Sequence, residues 1–369
     1  MDVGMQLVFA SHGWEGIRDS QVVDEELRLS RLADELGFDV VWSVEHHFFD
    51  YSFCPDNTQL LSYLTAVTKN IDVGTAAIIL PWNDPLRVAE KIALLDHLSG
   101  GRLRVGIGRG LSRREYAGFG GHQAIEMAQS RERFDEAADL ILRALSTGYA
   151  EGNGPFYEQP RIEIRPRPER SFDDRLYAVA SSEDSIESAA RIKATMVMFA
   201  DRSWEHRLPS ITKHRELFQA FHGVAAPPPL TCDYCVCLPS HDEAKELATR
   251  HMSTYLDSVL EHYEVTGSHF AKTKGYDAYA KAAEQLRGMG TSGFVKGFML
   301  ASAWGTPDDV LATLEKRRQL LGDFELATTF RFGGMPMAKA EQSLRLFAKE
   351  VLPVLKSWGG AKVRRQAAE

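Results

Sequence analysis

Apolar residues along the chain alternate between short continuous runs and longer stretches where they recur every three or four positions. The runs Met5–Ala10, Phe38–Val44, Ile71–Leu80, Leu103–Ile107, Leu176–Ala180, Thr195–Ala200, Leu230–Leu238 and Phe324–Arg331 predict strands. Between them the spacing predicts helices at Val22–Leu36, Thr58–Thr68, Pro85–Leu98, Ser130–Leu145, Ser185–Ile192, Trp204–Phe221, His241–Tyr263, Thr306–Leu321 and Ala338–Leu355. The punctuation agrees: Gly37 follows the first helix, Pro81 stops the third strand, and Pro85 and Gly100 bracket a helix. Continuous rather than alternating apolar strands are those of a parallel sheet covered on both faces. Eight strand–helix units, with no glycine-rich turn after Ala10, favour a closed barrel over an open doubly wound sheet. The expectation is an α/β chain forming a single (β/α)8 TIM barrel over residues 1–358, with a tail at 359–369. Residues after Gly108 read as a long loop, and Glu151–Arg175, rich in Pro, Gly and charge, as a loop with a small hairpin. Gly267–Phe298 lacks a clean period and reads as an insertion between the seventh and eighth strands, a possible lid.

Composition narrows the picture. The chain has 369 residues, 44% hydrophobic and 25% charged, enough apolar mass for one large barrel core. Its formal net charge of −8 disfavours binding to a nucleic-acid backbone or an anionic membrane, while leaving room for a local phosphate pocket. No run reaches the ~20 apolar residues of a membrane span, and the first apolar stretch is too short for a signal peptide, so a cytoplasmic location is expected. Cys232, Cys235 and Cys237 lie within one strand-like run and read as small buried hydrophobes rather than metal ligands.

In such a barrel the chemistry collects where strands end. After the second strand comes Glu45-His46-His47-Phe48, in which only one of two adjacent histidines can face a pocket and move protons there. A satisfied structural histidine is the plainer reading, and no third ligand at matching spacing supports a metal. The small residues Gly74-Thr75-Ala76-Ala77 would let a flat ligand approach the backbone; tight core packing explains them equally. Gly106-Ile-Gly108-Arg109-Gly110 offers exposed backbone N–H groups and a guanidinium, a combination suited to phosphate. Ser181-Ser182-Glu183-Asp184-Ser185 opens a helix, as an ordinary cap or as an anion site. Each signal is weak by itself; two phosphate-type signals at one barrel end reinforce each other.

The ordered set of motifs is more specific. Gly37-Phe-Asp-Val-Val-Trp-Ser-Val-Glu-His-His-Phe48, Val73-Gly-Thr-Ala-Ala-Ile-Ile-Leu-Pro81, Leu94 to Arg104, Gly106-Ile-Gly-Arg-Gly-Leu111 and Phe119-Gly120 follow in sequence, with Gly305-Thr-Pro-Asp-Asp-Val310 and Phe347 to Leu355 near the carboxyl end. Together they resemble the bacterial luciferase-like flavin-dependent monooxygenases, most weakly between Gly120 and Arg175 and in the insertion. The resemblance implies a (β/α)8 barrel with reduced FMN at its carboxyl face. It makes His46 the catalytic base, Arg109 the phosphate-binding arginine, and Ala76–Ala77 a non-proline cis peptide beneath the flavin ring. By the same carry-over Ser181 and Ser182 contact flavin, Ser185 contacts phosphate, and Glu45, Gly108 and Glu115 belong to the cofactor site. Two positions depart from the pattern: luciferase catalytic subunits carry a cysteine where Gly108 stands, and the family has a glutamate where Ser181 stands.

The resemblance therefore implies a non-luminescent two-component monooxygenase. A separate flavin reductase supplies reduced FMN, O2 is the co-substrate, and a small organic molecule is oxygenated. Trp42, Phe48 and Trp82 are candidate walls of its pocket, and a homodimer is expected. Two alternatives stay open: a coenzyme F420-dependent oxidoreductase of the same fold, and a non-catalytic flavin-binding protein.

Overall fold

Eight short strands run parallel and close on themselves in the computed structural model, which describes residues 1–13, 16–123, 125–274 and 276–359. They are Val3–Gln6, Val40–Ser43, Asp72–Thr75, Leu103–Gly108, Leu176–Val179, Thr195–Phe199, Leu230–Tyr234 and Glu325–Thr329. Each pairs with its sequence neighbour, and the first pairs with the eighth through Val3 opposite Leu326, Gly4 opposite Ala327 and Met5 opposite Thr328. The wall is buried on both sides, as the unbroken apolar runs require. Of the expected tail, residues 360–369 lie outside the described residues.

The interior is filled by side chains. Trp42, 1% exposed, projects from the second strand, and its neighbours make room by lacking a side chain. A Cβ on Gly4 would come within 2.7 Å of the indole and one on Gly74 within 2.3 Å. Trp42 is thus a packing element of the barrel, not a wall of an open pocket. Below it, Tyr177 meets the ring edge-on at 4.9 Å and donates to Glu325 at 2.9 Å.

Several expected boundaries move. The first strand is four residues, Val3–Gln6, because Leu7–Ala10, although buried, leave the strand ladder for the barrel mouth. The third run breaks into Asp72–Thr75, Ile78–Ile79 and a 3₁₀ turn at Leu80–Trp82, and the break is the cis peptide Ala76–Ala77. The seventh breaks at Cys235, with Val236–Cys237 pairing instead with Trp304–Gly305. All four cysteines are buried and free. The hairpin within Glu151–Arg175 exists, formed by Tyr149–Asn153 against Glu158–Glu163.

One irregular reading is corrected, and a second gains detail. The expected loop after the fourth strand contains the helix Arg113–Gln123. Its glycines at 118, 120 and 121 obscure the apolar period, yet tertiary contact forms the helix. The stretch Gly267–Phe298 is likewise mostly ordered, as the 3₁₀ turn Phe270–Lys272 and the long helix Asp277–Ala301. It lies between the seventh and eighth strands, as expected. No helix among the described residues is long and apolar enough to cross a membrane.

Candidate active site

The carboxyl ends of the second, fourth and fifth strands bring the expected site residues to one mouth. His46 follows the second strand and is fixed there by a two-way backbone bridge with Cys54, both N–H to O distances being 3.2 Å. The two adjacent histidines diverge, as strand geometry demands. The His47 ring turns toward Trp82 and Phe119, while the His46 ring turns toward Tyr51, His262 and Tyr263.

His46 is held by a carboxylate. Its Nδ1 lies 3.0 Å from Glu115 Oε1, and the same oxygen accepts the backbone N–H of His47 at 2.9 Å. Glu115 sits in the first turn of the corrected helix Arg113–Gln123 and is 1% exposed. Burial by itself would push its carboxyl up. The charge and hydrogen bond of His46, with His262 close by, outweigh that and hold it at about 2. A permanently ionised Glu115 keeps the Nδ1 proton of His46 in place, so Nε2 is the nitrogen left to exchange protons; it lies 3.5 Å from the hydroxyl of Tyr263.

Glu45 has another job. Its carboxylate accepts from the backbone N–H of Ile79 at 3.0 Å, Trp82 Nε1 at 2.6 Å and Asn83 Nδ2 at 2.9 Å, and contacts His47 Nε2 at 3.2 Å. These contacts pin the turn that follows Ala76–Ala77. Asn57 secures the other side by donating to the carbonyl of Ala77 at 3.1 Å. Trp82 is accordingly buried in this anchor, whereas Phe48 is 62% exposed at the rim.

The phosphate-type residues also converge. Arg109 Nη1 is 3.0 Å from Asp184 Oδ2, and its Nη2 is 3.4 Å from Ser182 Oγ. Ser182 caps the helix Glu183–Arg191, and Ser185 turns back to accept the backbone N–H groups of Ser181 and Ser182 at 3.0 and 2.9 Å. A helix N-terminus with a guanidinium beside it is an anion cradle. Three members escaped the sequence reading. Arg131 reaches Asp184 from the helix Ser130–Thr147 at 3.2 Å. Tyr276 lies under the Arg109 guanidinium at 4.4 Å and donates to the carbonyl of Gly110 at 3.1 Å. Asp184 itself, quoted as a cap, bridges both arginines. Burial would raise its carboxyl, but Arg109, Ser182 and Arg131 hold it below the usual range.

The small residues Ala76, Ala77 and Gly108 are buried beside the two groups. A Cβ on Gly108 would stand 3.4 Å from Ala77 Cβ and 3.1 Å from Ile79 Cδ1. Ala76, Ala77 and Gly108 carry almost no side-chain bulk, which keeps the backbone there close to its surroundings.

A family model for luciferase-like monooxygenases matches residues 1–323. The chain belongs to that family. It is 28% identical over 347 residues to an alkanal monooxygenase alpha chain of Photorhabdus luminescens, covering 91% of this chain and 92% of that one. It is 26% identical over 203 residues to the oxygenase component of a flavin-dependent trigonelline monooxygenase of Acinetobacter baylyi, covering 54% and 56% of the two chains. The crystal structure of monooxygenase RslO1 from Streptomyces bottropensis superposes with a TM-score of 0.81 at 26% identity, covering 96% of this chain and 99% of that one. A coenzyme F420-dependent tetrahydromethanopterin reductase of Methanopyrus kandleri shares the fold, with a TM-score of 0.69 at 19% identity over 96% and 99% of the chains. The chain is therefore an enzyme of the luciferase-like flavin-dependent monooxygenase group.

Proposed function

We propose that this chain is the oxygenase component of a two-component monooxygenase that takes reduced FMN from a separate reductase and oxygenates a small organic substrate with O2. The observation that carries this reading is that the Arg109–Asp184–Ser182 cluster at a helix N-terminus, the His46–Glu115 dyad and the small residues Ala76, Ala77 and Gly108 all follow strand ends at one mouth of the barrel. Arg109, Arg131, Ser182 and the N-terminus of Glu183–Arg191 would hold the phosphate, and the ring would lie against Ala76, Ala77 and Gly108. When bound, the reduced flavin supplies the electrons that activate oxygen.

The remaining work falls to this chain's residues. Glu115 fixes the tautomer and angle of His46, so that Nε2 accepts or returns the proton that must move as oxygen is transferred. Tyr51, His262 and Tyr263 pack around the ring and fix its place. The relative that is an oxygenase component supports a reductase partner. Gly108 and Ser181 stand where light-emitting members differ, which supports a dark reaction. A second copy of this chain is the proposed quaternary partner, to be checked by the mass in solution.

Anaerobically reduced FMN, mixed with enzyme, oxygen and a panel of small aromatic and aliphatic substrates, should give a product heavier by one oxygen atom, labelled from 18O2. The cradle is equally suited to the phosphate of F420. Turnover that needs F420 and no oxygen would overturn the proposal.

A further inference from the structure

His262 is the last residue of the long helix His241–His262, far in sequence from the other site residues, yet its ring ends beside them. It is 1% exposed, and neither ring nitrogen has a hydrogen-bond partner among the described residues. Its Nε2 lies 3.7 Å from Glu115 Oε2, too long for a hydrogen bond. The opposite oxygen, Oε1, holds His46 Nδ1 at 3.0 Å. One ligand-type atom from each of the three residues lies within 4.8 Å of the others.

We infer that His46, Glu115 and His262 form a binding site for a first-row divalent metal ion, of which Zn2+ and Co2+ are the representative probes. Two imidazoles and one carboxylate are the donor set these ions prefer to the hard ions Mg2+ and Ca2+. Donors about 2.0–2.1 Å from a tetrahedral ion stand roughly 3.3 Å apart. His46 and His262 approach opposite oxygens of Glu115 at 3.0 and 3.7 Å, and the three donors span up to 4.8 Å, so the His262 ring must swing inward for an ion to bind. Three protein ligands leave a fourth position for solvent. Coordination through His46 Nδ1 moves the ring proton to Nε2, the nitrogen facing the Tyr263 hydroxyl, so no bond beyond the His46–Glu115 hydrogen bond is lost. Arg114, stacked on Phe49 at 4.3 Å, brings a nearby positive charge that limits affinity without entering the ligand set.

The inference goes beyond the proposed function and rests on the same dyad. An ion here would occupy the base, so metal would inhibit oxygenation rather than support it. The test reads binding directly and needs no turnover. Metal-stripped enzyme, folded and without flavin, is titrated with Co2+ and followed by visible d–d absorption. One equivalent should give the intense bands of a four- or five-coordinate nitrogen–oxygen site, and Zn2+ should abolish them. His262→Ala removes a direct ligand and should weaken binding by roughly a hundredfold or more, with unchanged circular dichroism. His241→Ala, a surface histidine paired with Asp309, should bind as the parent does. Weak octahedral bands, thiolate charge-transfer bands from the cysteines, or equal binding by the His262→Ala protein would each overturn the inference. None of those results bears on whether the enzyme oxygenates with reduced FMN.

Discussion

Arg109 and Asp184 form an ion pair, Nη1 to Oδ2 at 3.0 Å, at the start of the helix Glu183–Arg191, and Arg131 joins the same carboxylate oxygen at 3.2 Å. The arrangement holds two guanidiniums at a helix N-terminus with an acidic side chain between them. A phosphate approaching that point gains the arginines and is opposed by Asp184. Arg109→Ala should weaken FMN binding by about ten- to a hundredfold, the worth of a charge-assisted hydrogen bond. Asp184→Asn keeps the local hydrogen bonds and removes the opposing charge, so it should tighten FMN binding several-fold. Flavin fluorescence titrations at fixed salt read both, and equal affinity in Arg109→Ala would remove the cradle from the site.

Glu115 is predicted to act on rate rather than on flavin affinity. Glu115→Gln leaves the shape of the side chain but not its charge, and single-turnover product formation should fall on the order of ten- to a hundredfold. Because the wild-type carboxyl sits at about 2, it stays ionised at any working pH. The variant should therefore be slower at every pH from 5 upward, with no loss confined to the acid side. A variant as fast as the parent would leave His46 without an orienting partner.

How far the site could be read in advance depended on the reach of each signal. The strands and their flanking motifs are local, so His46, Arg109, Ala76–Ala77 and Ser182 stood out from the chain itself. Tyr276, Arg131 and His262 come from helices that meet the mouth only through the tertiary fold, and no local spacing ties them to it. Glu115 was found by resemblance alone, since the glycine-rich helix carrying it looks like a loop. Glu45 was expected at the cofactor; its four contacts anchor the turn at Ile79–Asn83. Trp42 looked like a pocket wall because sequence does not distinguish an aromatic that fills a barrel from one that lines its mouth.

The two glycines around Ile107 should behave differently. A Cβ on Gly106 would stand 2.1 Å from the carbonyl oxygen of Thr75, whose hydroxyl also bonds both Gly106 N and O at 2.8 Å. Backbone cannot yield there, so Gly106→Ala should cost about 3 kcal/mol or more, or abolish soluble expression. Gly108→Ala meets side chains alone: Ile79 Cδ1 at 3.1 Å, Ala77 Cβ at 3.4 Å and Val179 Cγ2 at 4.0 Å. It should melt near the wild type while weakening flavin binding, since the methyl intrudes on the proposed place of the ring. Urea unfolding and FMN titration of the pair separate the two effects.

Two buried groups on opposite sides of the barrel should make the stability curve a dome in pH. Burial lowers His214 to about 4, against its hydrogen bond to the carbonyl of Ala194. The folded chain then refuses a proton that the unfolded chain takes at its ordinary value of 6.5. Stability is full above pH 6.5 and falls as pH drops toward 4, by roughly 3 kcal/mol at most. Burial raises Glu26 to about 8, with Arg331 pulling the other way. Here the folded chain keeps a proton that the unfolded chain loses near 4.5, so stability is full below that value and declines as pH rises toward 8. His214→Gln should flatten the acid limb, leaving the part due to His12, which is also lowered to about 4. Glu26→Gln should flatten the alkaline limb and leave the acid one alone. Thermal melts from pH 4 to 9 on the three proteins measure this, and an alkaline limb unchanged in Glu26→Gln would show that Arg331 keeps Glu26 ionised in the fold.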